Sequence, residues 1–260
     1  MPRNKPSSLA TLTSNRYAVV AGWIGWVTLA FFGASFVVVS LLYFMNRYQL
    51  IDTNNLSTAA SFWIDAMLYM AMFFIVMWLP WYRWRNRAPK SDRQTTWQFI
   101  RQSVGLTRLV KMIDLRYFFA GLPVFYGLVL SLSLVASMLL SSEVMNQTQE
   151  IGFAATQNGV ELAIIFVALV IIAPLFEEMI MRGFLFGKLR EHLPMWPTAI
   201  LVSLLFALAH GQINVGIMTF ILSMFSCRMR EKTGAIWAGL FLHMTVNLVA
   251  YSVRFLGLGS

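Results

Sequence analysis

The sequence predicts an all-α protein, a polytopic transmembrane bundle of about seven spans with one amphipathic helix lying in the membrane interface. Three observations predict it. Of the 260 residues, 58% are hydrophobic and only 12% are charged, about half the charged share of a soluble domain. Apolar runs of about 20 residues recur along the chain, the length that crosses a bilayer. Nearly all the Lys and Arg lie in short segments between those runs.

Taken in order, residues 17–45, 59–82, 117–141 and 159–181 each read as a full span. Residues 196–210 and 213–227 are shorter runs broken at Gly211-Gln212, and 234–256 is the last. The polar start, with Arg3, Lys5 and Arg16, precedes an apolar run too long for a signal-peptide core, so the first span is expected to be retained. No internal repeat or low-complexity tract is visible. Three regions follow: a two-span N-terminal region over 1–94, an interfacial helix over 95–116, and a core over 117–260.

Charge sets the expected orientation. The N-terminus, 83–116, 182–192 and 228–232 hold 18 of the 20 Lys and Arg, and seven spans put all four segments on one side. The opposite loops, 46–58 and 142–158, hold only Arg47 among bases, with Asp52, Glu143 and Glu150. By the positive-inside rule the N-terminus is cytoplasmic and the C-terminus outside. The compactness of the chain points to a prokaryotic plasma membrane. A net charge of +9 distributed this way serves lipid headgroups and topology rather than nucleic acid. In the connector, Trp97, Ile100, Val104, Leu106, Leu109 and Ile113 recur at helical spacing among Arg101, Arg108 and Lys111, which predicts the interfacial helix. One cysteine, Cys227, excludes an internal disulfide framework and any multi-Cys metal site. Asn55-Leu-Ser57 and Asn146-Gln-Thr148 fit the glycosylation pattern, a match too frequent to weigh. Asp65, early in the second span, reads as an interhelical hydrogen-bonding group near the outer boundary.

Polar groups inside the apolar runs are concentrated in the last third. A charge at mid-bilayer costs about 2.5–3.5 kcal/mol on insertion scales, so such groups are candidates for function. Glu177 and Glu178 are adjacent, so they point about 100° apart on a helix. Arg182 lies four residues after Glu178 on the same face and offsets its charge. Glu177 has no such partner. Pro174 frees a backbone carbonyl just upstream. Phe206 stands one turn before His210, and His243 and Asn247 share a face of the last span. His192 falls in a basic loop and reads as a surface residue. Each polar group alone has an ordinary structural reading, as an interhelical contact or a buried pair. Two acids, two imidazoles and a carboxamide on three successive spans are hard to explain that way together.

The set holds a base, polarising groups and an amide donor, and no evident nucleophile, which favours attack by water. Glu177, helped by His210, is the expected base, and His243 and Asn247 are the expected oxyanion donors. The reaction class is amide hydrolysis. A metal version is equally writable, with Glu177, His210 and His243 on Zn2+ and water as the fourth ligand, although no His-Glu-x-x-His run is present.

These residues resemble a known family. Glu177-Glu178-x-x-x-Arg182, Phe206-x-x-x-His210 and His243-x-x-x-Asn247 are similar, in order and spacing, to the three motifs of the CPBP family. That family includes CAAX prenyl endopeptidase type II and the bacteriocin-processing Abi proteins. The stretch Val104-Gly105-Leu106-Thr107-Arg108 is similar to one often seen upstream of the family core, so the resemblance covers about residues 95–255. It implies a membrane-embedded peptidase core with Glu177, Glu178, His210, His243 and Asn247 as catalytic residues and Arg182 and Phe206 in support. The implied substrate is a membrane-tethered peptide, prenylated or a leader peptide. Two other readings use the same residues: a non-catalytic immunity or regulatory partner, and a proton-coupled transporter. The absence of inverted repeats counts against the transporter.

Overall fold

A computed structural model describes residues 8–53, 55–87, 95–145, 147, 153 and 156–257. Among them the regular structure is entirely helical. Helices α1 (Ser8–Arg47) and α2 (Thr58–Arg87) form an antiparallel pair. Helix α3 (Thr96–Ser103) follows, and α4 (Met112–Leu139) crosses back, with the short α5 (Ser142–Met145) at its far end. A long helical run from Gly159 to Arg190 comes next, made of α6 (Gly159–Phe166), α7 (Ala173–Glu178) and α8 (Phe186–Arg190), joined by π-helical stretches at Val167–Ile172 and Met179–Leu185. Helices α9 (Met195–Leu208), α10 (Ile213–Thr233) and α11 (Trp237–Phe255) complete the bundle.

Four helical runs are long and apolar enough to cross a membrane: Asn15–Arg47, Thr58–Asn86, Met112–Leu139 and Gly159–Arg190. Their outward side chains are those that lipid solvates, among them Phe36, Phe74, Leu130 and Leu139. Seven such runs were expected from the sequence, and the difference has a physical cause. Helix α9 has 14 residues, about 21 Å at 1.5 Å per residue. Helices α10 and α11 are long enough, but Arg228, Arg230, Glu231 and Lys232 fill the last turns of α10, and His243, Asn247 and Arg254 interrupt the apolar run of α11.

Local chemistry sets the boundaries. Thr95 caps α3 in a box with Gln98. The Asn158 Oδ1 accepts from Val160 and Glu161 at the start of α6. Gly211 and Gly234, both left-handed, make the turns after α9 and α10, a conformation that costs other residues a Cβ clash. Pro174 has no N–H to donate to Val170, and a π stretch occupies the turn before it, where the carbonyl ladder must be re-registered.

The connector differs from the continuous helix expected over 95–116. Helix α3 ends at Ser103, because Gly105 turns left-handed (φ +74°) and drives Val104 onto Gly183. Val104 is buried there, while Leu109 is exposed and Ile113 already belongs to α4. The segment clasps the α10–α11 turn. Gly105 O accepts from Ile236 N (3.2 Å), Thr107 donates to Gly234 O (2.9 Å), Arg108 donates to Thr233 O (2.7 Å), and Trp237 Nε1 donates to Arg108 O (2.8 Å). Arg108 is held in turn by both oxygens of the buried Asp114, at 2.6 and 2.8 Å. Arg182, counted among the bases of 182–192, lies inside the helical run and is fully buried. Arg3, Lys5, Lys90, Arg93, Asn146 and Glu150 lie outside the described residues.

Packing gathers around three clusters. One joins α1 and α2 to the Met179–Leu193 stretch and α9 through Val76, Phe184, Leu185, Leu189 and Phe206. A second packs α4 on α10 and α11 through Phe125, Leu222 and Leu242. The third ties the start of the long run to the end of α11 through Ile165, Tyr251 and Phe255. Lipid tails are as apolar as these side chains, so close packing and hydrogen bonds hold the bundle rather than exclusion from water. Between the clusters lie the acids of α7.

Candidate active site

The two acids sit on the last turn of α7, just before the second π stretch. Glu178 points into the bundle and is fully buried. Its Oε1 lies 3.1 Å from Arg182 Nη1. None of the Arg182 nitrogens is aligned for a hydrogen bond. The guanidinium instead lies over the Phe206 ring, 4.3 Å from its centre. The motif arginine is therefore held by one carboxylate and one aromatic face.

His243 enters from α11 and bridges the two acids. Its Nδ1 is 3.2 Å from Glu178 Oε1, and its Nε2 is 3.5 Å from Glu177 Oε2. Adjacent carboxylates pointing apart thus meet opposite edges of one imidazole. Phe206 stands edge-on to this ring at 5.8 Å. Glu177 is the more open acid, with 20% of its side chain exposed against 3% for His243.

His210 approaches from the end of α9. Its ring packs edge-on against Phe206 at 4.9 Å, and its Nδ1 is 2.8 Å from Phe206 O. That contact leaves Nε2 as the ring nitrogen available to the site. The ring nitrogen placed beside Glu177 belongs to His243, whereas the sequence reading gave that place to His210. Asn247, one turn beyond His243, donates from Nδ2 to Leu169 O (2.8 Å), in the first π stretch. The second N–H of that amide remains.

Glu177, His210, His243 and Asn247 all line one cavity of about 460 Å³. Glu178, Arg182 and Phe206 lie behind it. The cavity extends past Ala168, Val215 and Met218 to Tyr251 and Phe255.

Five lining residues, Phe62, Asp65, Ala66, Leu68 and Tyr69, come from α2, outside every sequence motif, and two of them are polar. Tyr69 donates to Glu177 Oε1 (2.7 Å) and stacks on Phe176 at 5.9 Å. Asp65, one turn earlier, lines the same cavity, where it was expected to join helices at the outer boundary. The signal was present as a polar i, i+4 pair in an otherwise apolar span.

The donors do not fit the three-ligand zinc set. Among the described residues, no three His, Cys, Asp or Glu side chains group as a metal site. His243 has a carboxylate at each ring nitrogen. Cys227 is buried.

Residues 159–249 match the family described as Type II CAAX prenyl endopeptidase Rce1-like. The match runs from the start of α6 to the penultimate turns of α11 and contains all three motifs. No curated protein and no solved structure matches the chain.

Proposed function

We propose, starting from the Rce1-like type II CAAX prenyl endopeptidase domain of residues 159–249, that this membrane protein is an intramembrane endopeptidase that hydrolyses a membrane-tethered peptide by glutamate-activated water. The observation that carries the proposal is the shared cavity. Side chains from α7, from the turn that follows α9 and from α11, up to 70 positions apart, line one space, with Glu177 and His243 at 3.5 Å.

The chemistry follows from the placement of each group. Oε1 of Glu177 is occupied by the Tyr69 hydroxyl, so Oε2 is the basic atom. It takes a proton from water as the water oxygen bonds to the scissile carbonyl carbon. The carbonyl oxygen becomes an oxyanion, which the free Asn247 N–H stabilises by donation, while His210, whose Nδ1–H goes to the Phe206 carbonyl, presents Nε2 as an acceptor that orients the attacking water. Collapse of the tetrahedral intermediate breaks the C–N bond, and Glu177 returns its proton to the departing amine. His243 holds the Glu177 carboxylate from Oε2, and is itself oriented by Glu178 and Arg182. No step needs a metal.

The same reading assigns the membrane arrangement. Contacts at one end of the bundle join basic segments: Arg190 pairs with Glu231 at 2.8 Å, and the 104–108 segment binds the 233–237 turn. Contacts at the other end join their opposites, with Asn214 donating to Met145 O and Gln147 O. We assign seven crossings with the basic end cytoplasmic and the C-terminus outside. We assign 1–94 as an N-terminal region that carries the α1–α2 pair, 95–116 as an interfacial segment and 117–260 as the peptidase core. The substrate class is a prenylated or leader peptide carried on lipid, and bacteriocin processing is one such use.

The test uses purified protein in lipid nanodiscs with internally quenched peptides, prenylated at a C-terminal Cys-containing motif or joined to an apolar leader, each beside its lipid-free form. Cleavage restricted to the membrane-tethered peptides is the expected result. No cleavage of any, together with rescue of a gene-deletion phenotype by Glu177→Gln, overturns the proposal in favour of a non-catalytic partner.

A further inference from the structure

The N-terminal helix pair lies outside the matched residues 159–249, yet its second helix, α2, supplies one wall of the cavity. Phe62, Asp65, Ala66 and Tyr69 follow one face of α2 at helical spacing, and all line the space that holds Glu177 and His243. Tyr69 is the only one whose side chain bonds a motif residue. Its hydroxyl donates to Glu177 Oε1 at 2.7 Å, the shorter of the two contacts that this carboxylate makes. The phenol ring is fixed by stacking on Phe176, the residue before Glu177, and Phe176 also packs edge-on with Phe73, one turn along α2. Donor and acceptor are thus anchored to the same pair of helices, and the bond fixes the rotation of the carboxylate.

We propose that Tyr69 is a positioning residue of the site. It holds Oε1 of Glu177 as an acceptor and turns Oε2 toward His243, which makes the N-terminal helix pair part of the catalytic unit rather than an appendage to it. A carboxylate with one bonded oxygen keeps a single basic lone-pair direction. One held only by the 3.5 Å contact to His243 is free to rotate between the cavity and the helix. The kinetic consequence rests on the peptidase reading above, whereas the hold on the carboxylate does not.

The test is Tyr69→Phe, which removes one oxygen and keeps the ring stacked on Phe176. Two readouts are taken on protein in nanodiscs. The first is the rate at which dicyclohexylcarbodiimide, a membrane-soluble carboxyl reagent, labels Glu177, followed by peptide mass mapping with Glu177→Gln as the blank. The second is the kcat and KM for cleavage of the prenylated quenched peptide. Loss of a hydrogen bond to a charged group corresponds to about 10- to 100-fold. We expect kcat to fall by that factor with KM within about twofold of wild type, the split that marks a role in the transition state. Labelling of Glu177 is expected to rise about tenfold once Oε1 is uncovered. Unchanged labelling overturns the proposal, and so does faster labelling with unchanged kcat. If the wild type cleaves no peptide while Tyr69→Phe labels faster, the hold on Glu177 stands and the peptidase reading falls.

Discussion

Arg182→Met removes a fully buried charge. Arg182 and Glu178 are both fully buried, 3.1 Å apart, and the guanidinium covers the Phe206 ring at 4.3 Å. Methionine keeps most of the volume and removes the charge, which leaves Glu178 as a buried carboxylate with only His243 beside it. Breaking one partner from a buried pair costs about 3–5 kcal/mol. The Arg182 nitrogens are not aligned for hydrogen bonds with the carboxylate, which places this pair at about 3 kcal/mol, the lower end of that range. The loss of the ring contact is contained in that figure. Adding Glu178→Gln removes the stranded charge, so the double variant should recover most of the loss. The assay is unfolding in mixed micelles by rising SDS fraction, followed by tryptophan fluorescence. A loss below about 1 kcal/mol, the size of an exposed pair, refutes the argument. So does a double variant as unstable as Arg182→Met alone.

Other expectations come from the clasp around the 104–108 segment and from the basic end. Gly183→Ala sets a Cβ into the Val104 carbonyl; overpacking of this kind costs about 1–3 kcal/mol, seen as a lower midpoint in the same titration. Arg108→Ala leaves the buried Asp114 without its two charged bonds; it should lose about 1.5–3 kcal/mol and expose the 233–237 turn to trypsin at Arg230 and Lys232. Glu231 is held below its ordinary value of 4.5, first by hydrogen bonds from Arg190. Its contribution to stability is therefore fully present above that pH and is lost as pH falls through the lowered folded value. Glu231→Gln should flatten that part of the acid-unfolding profile, and an unchanged acid limb contradicts the assignment.

The sequence announced the helices and their order, because apolar runs and basic punctuation carry most of that information. It also pointed to Glu177, His210, His243 and Asn247, which line one cavity, since a buried acid or imidazole in a lipid-facing protein needs a reason. Three features were hidden. The π stretches on either side of α7 change the helical phase, so a regular 100° step gave no hint that His243 would meet both Glu177 and Glu178. The end of α3 depends on a long-range contact, the fit of Val104 on the bare backbone of Gly183, and no periodicity reports that. Tyr69 is one of eight tyrosines in an aromatic-rich sequence; its i, i+4 spacing from Asp65 marks a polar face of α2, and tertiary packing alone supplies its partner. The last three helices read as spans from their polarity pattern, yet α9 is short, charged residues fill the end of α10, and only in α11 do site groups, His243 and Asn247, break the apolar run.

The central claim is that Glu177 is the base that activates water. Single-turnover cleavage of the membrane-tethered quenched peptide by Glu177→Gln, in nanodiscs and with an SDS unfolding midpoint matching wild type, tests it most directly. Removing a general base costs about 10²- to 10⁴-fold, and a rate constant lower by that factor is the result predicted. Cleavage by folded Glu177→Gln at the wild-type rate contradicts the account.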